Sequence, residues 1–236
     1  MRPLLLVLPA VLCFAQEPGL PAQLARIQRL PTEELRALQA RLAVDPAPAE
    51  KKAYHELHLA YALASRSTQD DPKGSKALVE RSLKTFENTP DPESKALVAA
   101  FLGLKIGFSP MSAMTLSGRA SRLFEEALAK QPTSPRIALL QAVQILHTPA
   151  FVGGGAKAAL PLMEKAVKLG EQEKAPADPW APAWGRIESL SWLAYTQVEA
   201  DLLPEARRTV DQALALDPNN AFIARMVQPR LQAKAK

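Results

Sequence analysis

The sequence predicts an all-α fold built from helical pairs, and three observations lead there. Hydrophobic residues make up 47% of the chain but aromatics only 6%, and the alternating Thr/Tyr-rich runs that mark strands are scarce. Prolines, 21 in all, divide the chain into helix-length pieces. A small-residue spacing also recurs at intervals of one helical pair, the mark of an internal repeat. With 236 residues the chain can form one domain or a short array with a continuous core.

The elements follow in chain order. Residues 1–15, MRPLLLVLPAVLCFA, combine Arg2 with an apolar stretch from Leu4 to Phe14 and small residues before Gln16. That reads as a secretory signal peptide, too short to span a bilayer, with no membrane span expected after cleavage. Its removal takes Arg2 and the only cysteine, leaving 28 basic against 24 acidic residues, a formal charge of +4. A thiol-free mature chain has no disulfide, thiolate ligand or thiol nucleophile. The positive charge is dispersed, so nucleic acid is not expected as a partner.

Residues 16–46 form a helical extension, with an amphipathic run from Thr32 to about Val44. A repeat domain over 47–220 holds four pairs, at roughly 47–88, 91–131, 134–170 and 185–217. Residues 221–236 supply a capping helix and tail, with a kink expected at Pro229. Residues 171–184 are a charged, then Pro/Trp-rich connection, long enough to fold back over the array.

The second helices carry the repeat. Ala206, Val210, Ala213, Leu214 and Pro218 are spaced like Ala120, Phe124, Ala127, Leu128 and Pro132. Ala159, Met163, Ala166 and Val167 repeat the spacing without the proline, and Leu78, Ser82, Thr85, Phe86 and Pro90 repeat it with poorer residues. Small alanines let helices approach, larger apolar groups fill the gap, and proline stops the helix.

The stretch 187–220, IESLSWLAYTQVEADLLPEARRTVDQALALDPNN, closely resembles a tetratricopeptide repeat. Leu190, Leu193 and Ala194 match its first helix; Ala206, Ala213 and the terminal DPNN match its second; Gln197 stands where tyrosine is usual. Across 47–234 the chain is similar to a group of exported bacterial tetratricopeptide-like proteins, chiefly through SPRIALLQAVQILHTPAFVGGGAKAALPLMEKA and PWAPAWG. The resemblance implies a right-handed superhelix whose concave face, made of first helices, accepts a protein or peptide. Arg136, Gln144, Glu188 and Tyr195, with Trp184 at the edge, are the binding residues expected on that basis.

The remaining motifs point away from catalysis. Gly153-Gly154-Gly155 precedes Lys157, but no strand leads into it and no hydroxyl follows, so it is not a nucleotide loop. An inter-helix turn is expected instead, with anion binding at the following helix start as the functional alternative. AYHELHLAY (53–61) places its second histidine at +3 rather than the +4 of a zinc protease. Tyr54, Leu57 and Tyr61 are expected to face the core, with His55 and His58 flanking it. His147 stands at a predicted helix end, where it could partner the dipole. Trp180 and Trp184 either anchor the connection or line a groove, and Trp192 is expected in the core. No nucleophile is suitably arranged. The chain is therefore expected to be a non-enzymatic binding scaffold of the cell envelope without a cofactor or metal. A small-ligand or metal carrier serving an uptake system, suggested by His55/His58 and the basic glycine turn, is the alternative, and a structural envelope subunit is a third.

Overall fold

A computed structural model describes residues 19–234, and all regular structure among them is helical. The segment read as a signal peptide lies outside the described residues. In order, the helices are α1 (Leu20–Leu24), α2 (Thr32–Val44), α3 (Ala49–Arg66), α4 (Pro72–Thr85), α5 (Pro92–Phe108), α6 (Ala113–Lys130), α7 (Pro135–His147), α8 (Ala156–Gln172), α9 (Arg186–Glu199), α10 (Leu203–Leu216) and α11 (Gln228–Lys234). None is long and apolar enough to cross a membrane.

Local chemistry sets the helix starts. Asp71, Asp91 and Ser134 each stand before a proline, which loses no hydrogen bond in the first turn. The Asp71 carboxylate accepts from the Gly74 N–H at 2.9 Å, Asp91 from Ser94 at 2.7 Å, and the Ser134 hydroxyl from Ile137 at 3.3 Å. Short turns then make antiparallel partners of α3 and α4, α5 and α6, α7 and α8, and α9 and α10, while α3, α5, α7 and α9 pack side by side.

The repeat spacing marks the packing line. Ala120, Phe124 and Ala127, then Ala159, Met163 and Ala166, then Ala206, Val210 and Ala213 are all buried. The poorer copy sits differently: α4 buries Ser75, Val79 and Ser82 and leaves Thr85 exposed. The same +4, +3 spacing has moved one turn toward the helix start, where Val79 supplies a larger apolar group than Ser82 could. Helix α5, packed by α3, α4, α6 and α7, is buried from Ala96 to Leu102.

Both ends of the array are covered. Leu24, Ile27, Leu35, Leu38 and Leu42 of the N-terminal extension pack on Leu59, Ala62 and Leu63 of α3. Ile223, Val227 and Leu231 close the last pair against Leu190, Val198 and Val210. Ahead of Pro229, where the sequence predicts a kink, Ile223–Val227 form a π-helical turn; proline supplies no N–H to continue an α ladder.

The glycine run is the turn between α7 and α8, and each glycine has a separate cause. Gly153 and Gly155 have φ of 90° and 88°, a region that strains other residues. At Gly154 a Cβ would collide with the Thr148 carbonyl. The Gly155 N–H donates to the Ile145 carbonyl at 2.9 Å, folding the turn back onto the last turn of α7.

Candidate ligand-binding face

The first helices α3, α5, α7 and α9 share a face, and its two ends differ. Where these helices begin, the chain covers the face with its own segments. Arg136, at the start of α7, donates to Glu93 at 2.7 Å, to both oxygens of Glu173 at 2.8 and 2.5 Å, and to the Trp184 carbonyl at 2.7 Å. Burial alone lowers the Arg136 pKa, but the hydrogen bonds to Glu173 and the charge and hydrogen bond of Glu93 outweigh it and hold the guanidinium charged. The Ser134 hydroxyl completes Glu93 at 2.6 Å.

This cluster pins the connection 173–185 as a strap. The Trp184 indole stacks on His58 with ring centroids 4.3 Å apart and donates through Nε1 to the Tyr54 hydroxyl at 2.9 Å. His55 Nε2 donates to the Trp180 carbonyl at 2.9 Å. At the surface, Lys51 pairs with Asp178 at 3.1 Å.

A second cover is the turn Ile27–Arg29, which meets α3 from His58 to its last residue, Arg66. The Arg66 guanidinium donates to the carbonyls of Ile27, Gln28 and Leu30, and the Gln28 amide meets His58 Nε2 at 2.9 Å. Arg29 reaches across to Glu188 at 3.0 Å and Asp217 at 3.2 Å, tying the extension to the last pair. Glu188 also accepts from the Gly185 N–H at 2.7 Å and so caps α9.

His55 and His58 are therefore fully covered, not flanking the core as the sequence suggests. Burial lowers both pKa values; at His58 the charges of His55, Arg136 and Arg66 add to the effect, while at His55 the Trp180 carbonyl opposes it. Both imidazoles are held neutral.

The other end of the face is open. Helices α5 and α7 run in the same direction and touch where Gly103 leaves no room for a Cβ beside the Gln144 amide. Their following turns, 109–112 and 148–155, therefore leave the same end of the face. On this rim Met111 is 84% exposed, Met114 89%, Phe151 90% and Val152 61%. Large apolar groups so fully in water, at the same end of one face, mark an interaction surface more than a packing remainder. No carboxylate occurs in 94–124 or in 135–163, whereas Lys105 and Lys157 flank the two turns.

Beside the rim, on the same face, lies a half-buried aromatic cluster. Trp192 and Phe222 approach to 4.7 Å, Tyr195 touches both at 5.6 and 6.1 Å, and the Arg230 guanidinium sits 5.2 Å over the Tyr195 ring. His147 meets Trp192 edge-on at 6.0 Å.

The five residues expected to bind a partner thus fall into two sets. Gln144 and Tyr195 are half-buried at the open end. Arg136, Trp184 and Glu188 are only 5%, 4% and 4% exposed, and their polar groups are committed to internal partners, so they present no surface for a peptide. Sequence reasoning missed Met111, Met114, Phe151 and Val152 as a set. For Phe151 and Val152 a signal was present: two large apolar residues directly before the glycine turn.

No protein-family model matches the chain, and no curated protein is detectably similar to it in sequence. Among solved structures the chain is similar to the HusA haemophore from Porphyromonas gingivalis, at 23% identity and a TM-score of 0.56, over 76% of this chain and 92% of that one. The likeness is one of fold.

Proposed function

We propose that the protein is an exported, non-enzymatic carrier of a planar amphiphilic ligand of the porphyrin class, taken up on the open rim of a tetratricopeptide-like superhelix. The carrying observation is the rim itself: exposed Met111 and Met114 where α5 passes into α6 and exposed Phe151 and Val152 where α7 passes into α8, with Lys105 and Lys157 flanking these stretches in sequence and no carboxylate in either. A porphyrin offers the complement, an apolar disc with carboxylates on one edge. Covering a side chain such as Phe151 contributes about 1.5–3 kcal/mol, and lysine–carboxylate contacts fix orientation. The haemophore of similar fold supports the ligand class, and the signal-like segment 1–15 supports export.

This reading takes the place of the expected protein or peptide partner. A peptide seated where the first helices begin would have to displace Arg29 from Glu188 and Asp217 and the strap from Arg136.

The test is titration of the mature chain with protoporphyrin IX and with haemin, followed by Soret absorbance and tryptophan fluorescence. Saturable binding, weakened at least ~10-fold by joint Phe151→Ser and Met111→Ser changes that leave the melt unaltered, is expected, since burial of two such side chains accounts for more than 1.4 kcal/mol. Absence of saturable binding, or equal affinity in the variant, removes the reading.

A further inference from the structure

The strap and the turn Ile27–Arg29 come from distant parts of the chain, yet both close on the same two side chains. His55 Nε2 donates to the Trp180 carbonyl of the strap at 2.9 Å, and His58 Nε2 accepts from the Gln28 amide of the turn at 2.9 Å. The Trp184 indole stacks on the His58 ring at 4.3 Å, and Trp180 meets His55 edge-on at 6.0 Å. Both Nδ1 atoms are buried without a hydrogen-bond partner.

This arrangement requires neutral rings. A proton added at His55 Nδ1 creates a buried N–H with no acceptor. One added at His58 Nε2 removes the acceptor that the Gln28 amide uses. The Trp184 face offers an imidazolium a cation–π contact, which opposes release but accepts no hydrogen bond. Arg66, on the same helix, and Arg136, on α7, both act against a charged His58, as His55 does. These two guanidiniums are also the fasteners, Arg66 of the turn and Arg136 of the strap. The carboxylates near the pair are already committed. Glu93 of α5 and Glu173 at the base of the strap are bonded to Arg136, Asp91 caps α5, and Asp178 pairs with Lys51 at the surface. Tyr54 lies against both rings, and its hydroxyl accepts from Trp184. What α2 and α4 bury is untitratable: Leu35, Leu38 and Leu42, and Ser75, Val79 and Ser82.

We propose that the two covers form one acid-released device: protonation of the His55–His58 pair lifts the strap and the turn Ile27–Arg29 off the first-helix face while the helix pairs stay folded. Burial lowers both pKa values in the closed form, and an uncovered ring returns toward the ordinary value of 6.5. Protons therefore bind the open form first as pH falls. Each histidine raises the open-to-closed ratio by up to ~10-fold per pH unit below about 6.5, until the depressed closed value is reached. The inference stands apart from the porphyrin reading, and no ligand enters its test.

Amide hydrogen exchange of residues 16–236 at pH 7.5 and pH 5, corrected for the intrinsic pH dependence of exchange, tests the device. At pH 5 the segments 27–30 and 178–185 are expected to exchange at least ~10-fold faster, with α5 to α8 unchanged. Joint His55→Gln and His58→Gln changes should abolish that response, whereas His147→Gln, which alters the exposed third histidine, should preserve it. Unchanged covers at pH 5, a rise shared equally by all the helices, or a full response in the paired variant would each overturn the proposal. Should the paired variant not fold, the imidazole resonances of the wild type decide. His55 and His58 are expected to take up protons in step with the loss of protection in the covers, and protonation beneath covers that stay protected overturns the device.

Discussion

The two ends of the first-helix face are made from the same four helices and do opposite things. At the starting end the face is polar and buried: Arg136, Glu93, Glu173 and Glu188 pair with one another or with Arg29, and two histidines are sealed beneath Trp184. At the finishing end it is apolar and exposed, with Met111, Met114 and Phe151 almost wholly in water. The usual order, apolar inside and charge outside, is inverted at both. The lesson is that each inversion has its own cause. Buried charge is tolerated where every group is paired and fastens distant segments. Exposed apolar surface is tolerated where something is meant to cover it.

The sharpest way to break the contrast is to unpair the closed end. Arg136→Ala leaves Glu93 buried without its cation and frees the Trp184 carbonyl, so a loss of about 3–5 kcal/mol in denaturant unfolding is expected. Arg136→Lys should recover little of it, because lysine cannot serve Glu93, Glu173 and the carbonyl together. A wild-type-like midpoint for Arg136→Ala would show that the strap is not fastened there.

Next in size is the turn that shapes the open rim. Gly154→Ala forces a Cβ into the Thr148 carbonyl, and a loss of about 1–3 kcal/mol is expected in the same assay, as for other overpacked sites.

Acid tests the closed end through its histidines. The folded pKa values of His55 and His58 lie below the ordinary value of 6.5, so the unfolded chain takes up protons first as pH falls. The stability they contribute is fully present above about pH 6.5 and is lost progressively below it, toward the depressed folded values. Thermal melts from pH 7.5 to 5 should show that decline, and His58→Gln should flatten it; an equally steep decline in the variant would assign it to other groups.

The smallest effect separates exposed from buried fastening of the same strap. Lys51 and Asp178 are both solvent-exposed at their ion pair, so Lys51→Ala should cost no more than about 1 kcal/mol. A loss comparable to that of Arg136→Ala would contradict the division made here.

How much of this was legible in the sequence follows from the range of the interactions. Helix starts at Asp71-Pro72, Asp91-Pro92 and Ser134-Pro135 rest on local chemistry, a capping side chain followed by proline. The spacing Ala120–Phe124–Ala127 and its copies is periodic within one helix, so it marked the packing line in three pairs. It misplaced α4, where Ser75–Val79–Ser82 and Leu78–Ser82–Thr85 satisfy the same spacing and only tertiary packing chooses between them. The strap was legible as a segment able to fold back, but its anchors were not: Trp184 meets Tyr54 across 130 positions, and Arg29 meets Glu188 across 159. For that reason Arg136 and Glu188 read as surface groups. The three glycines read as a turn, while the reason for Gly154 depends on a carbonyl six residues earlier.

The central claim is that ligand meets the open end and leaves the closed end untouched. Amide hydrogen exchange of residues 16–236, with and without protoporphyrin IX, tests it most directly. Added protection confined to 105–118 and 147–157, with 27–30 and 178–185 unchanged, is the predicted result. Protection centred on 178–185 and the helix carrying His55 and His58, with the rim unchanged, would contradict it.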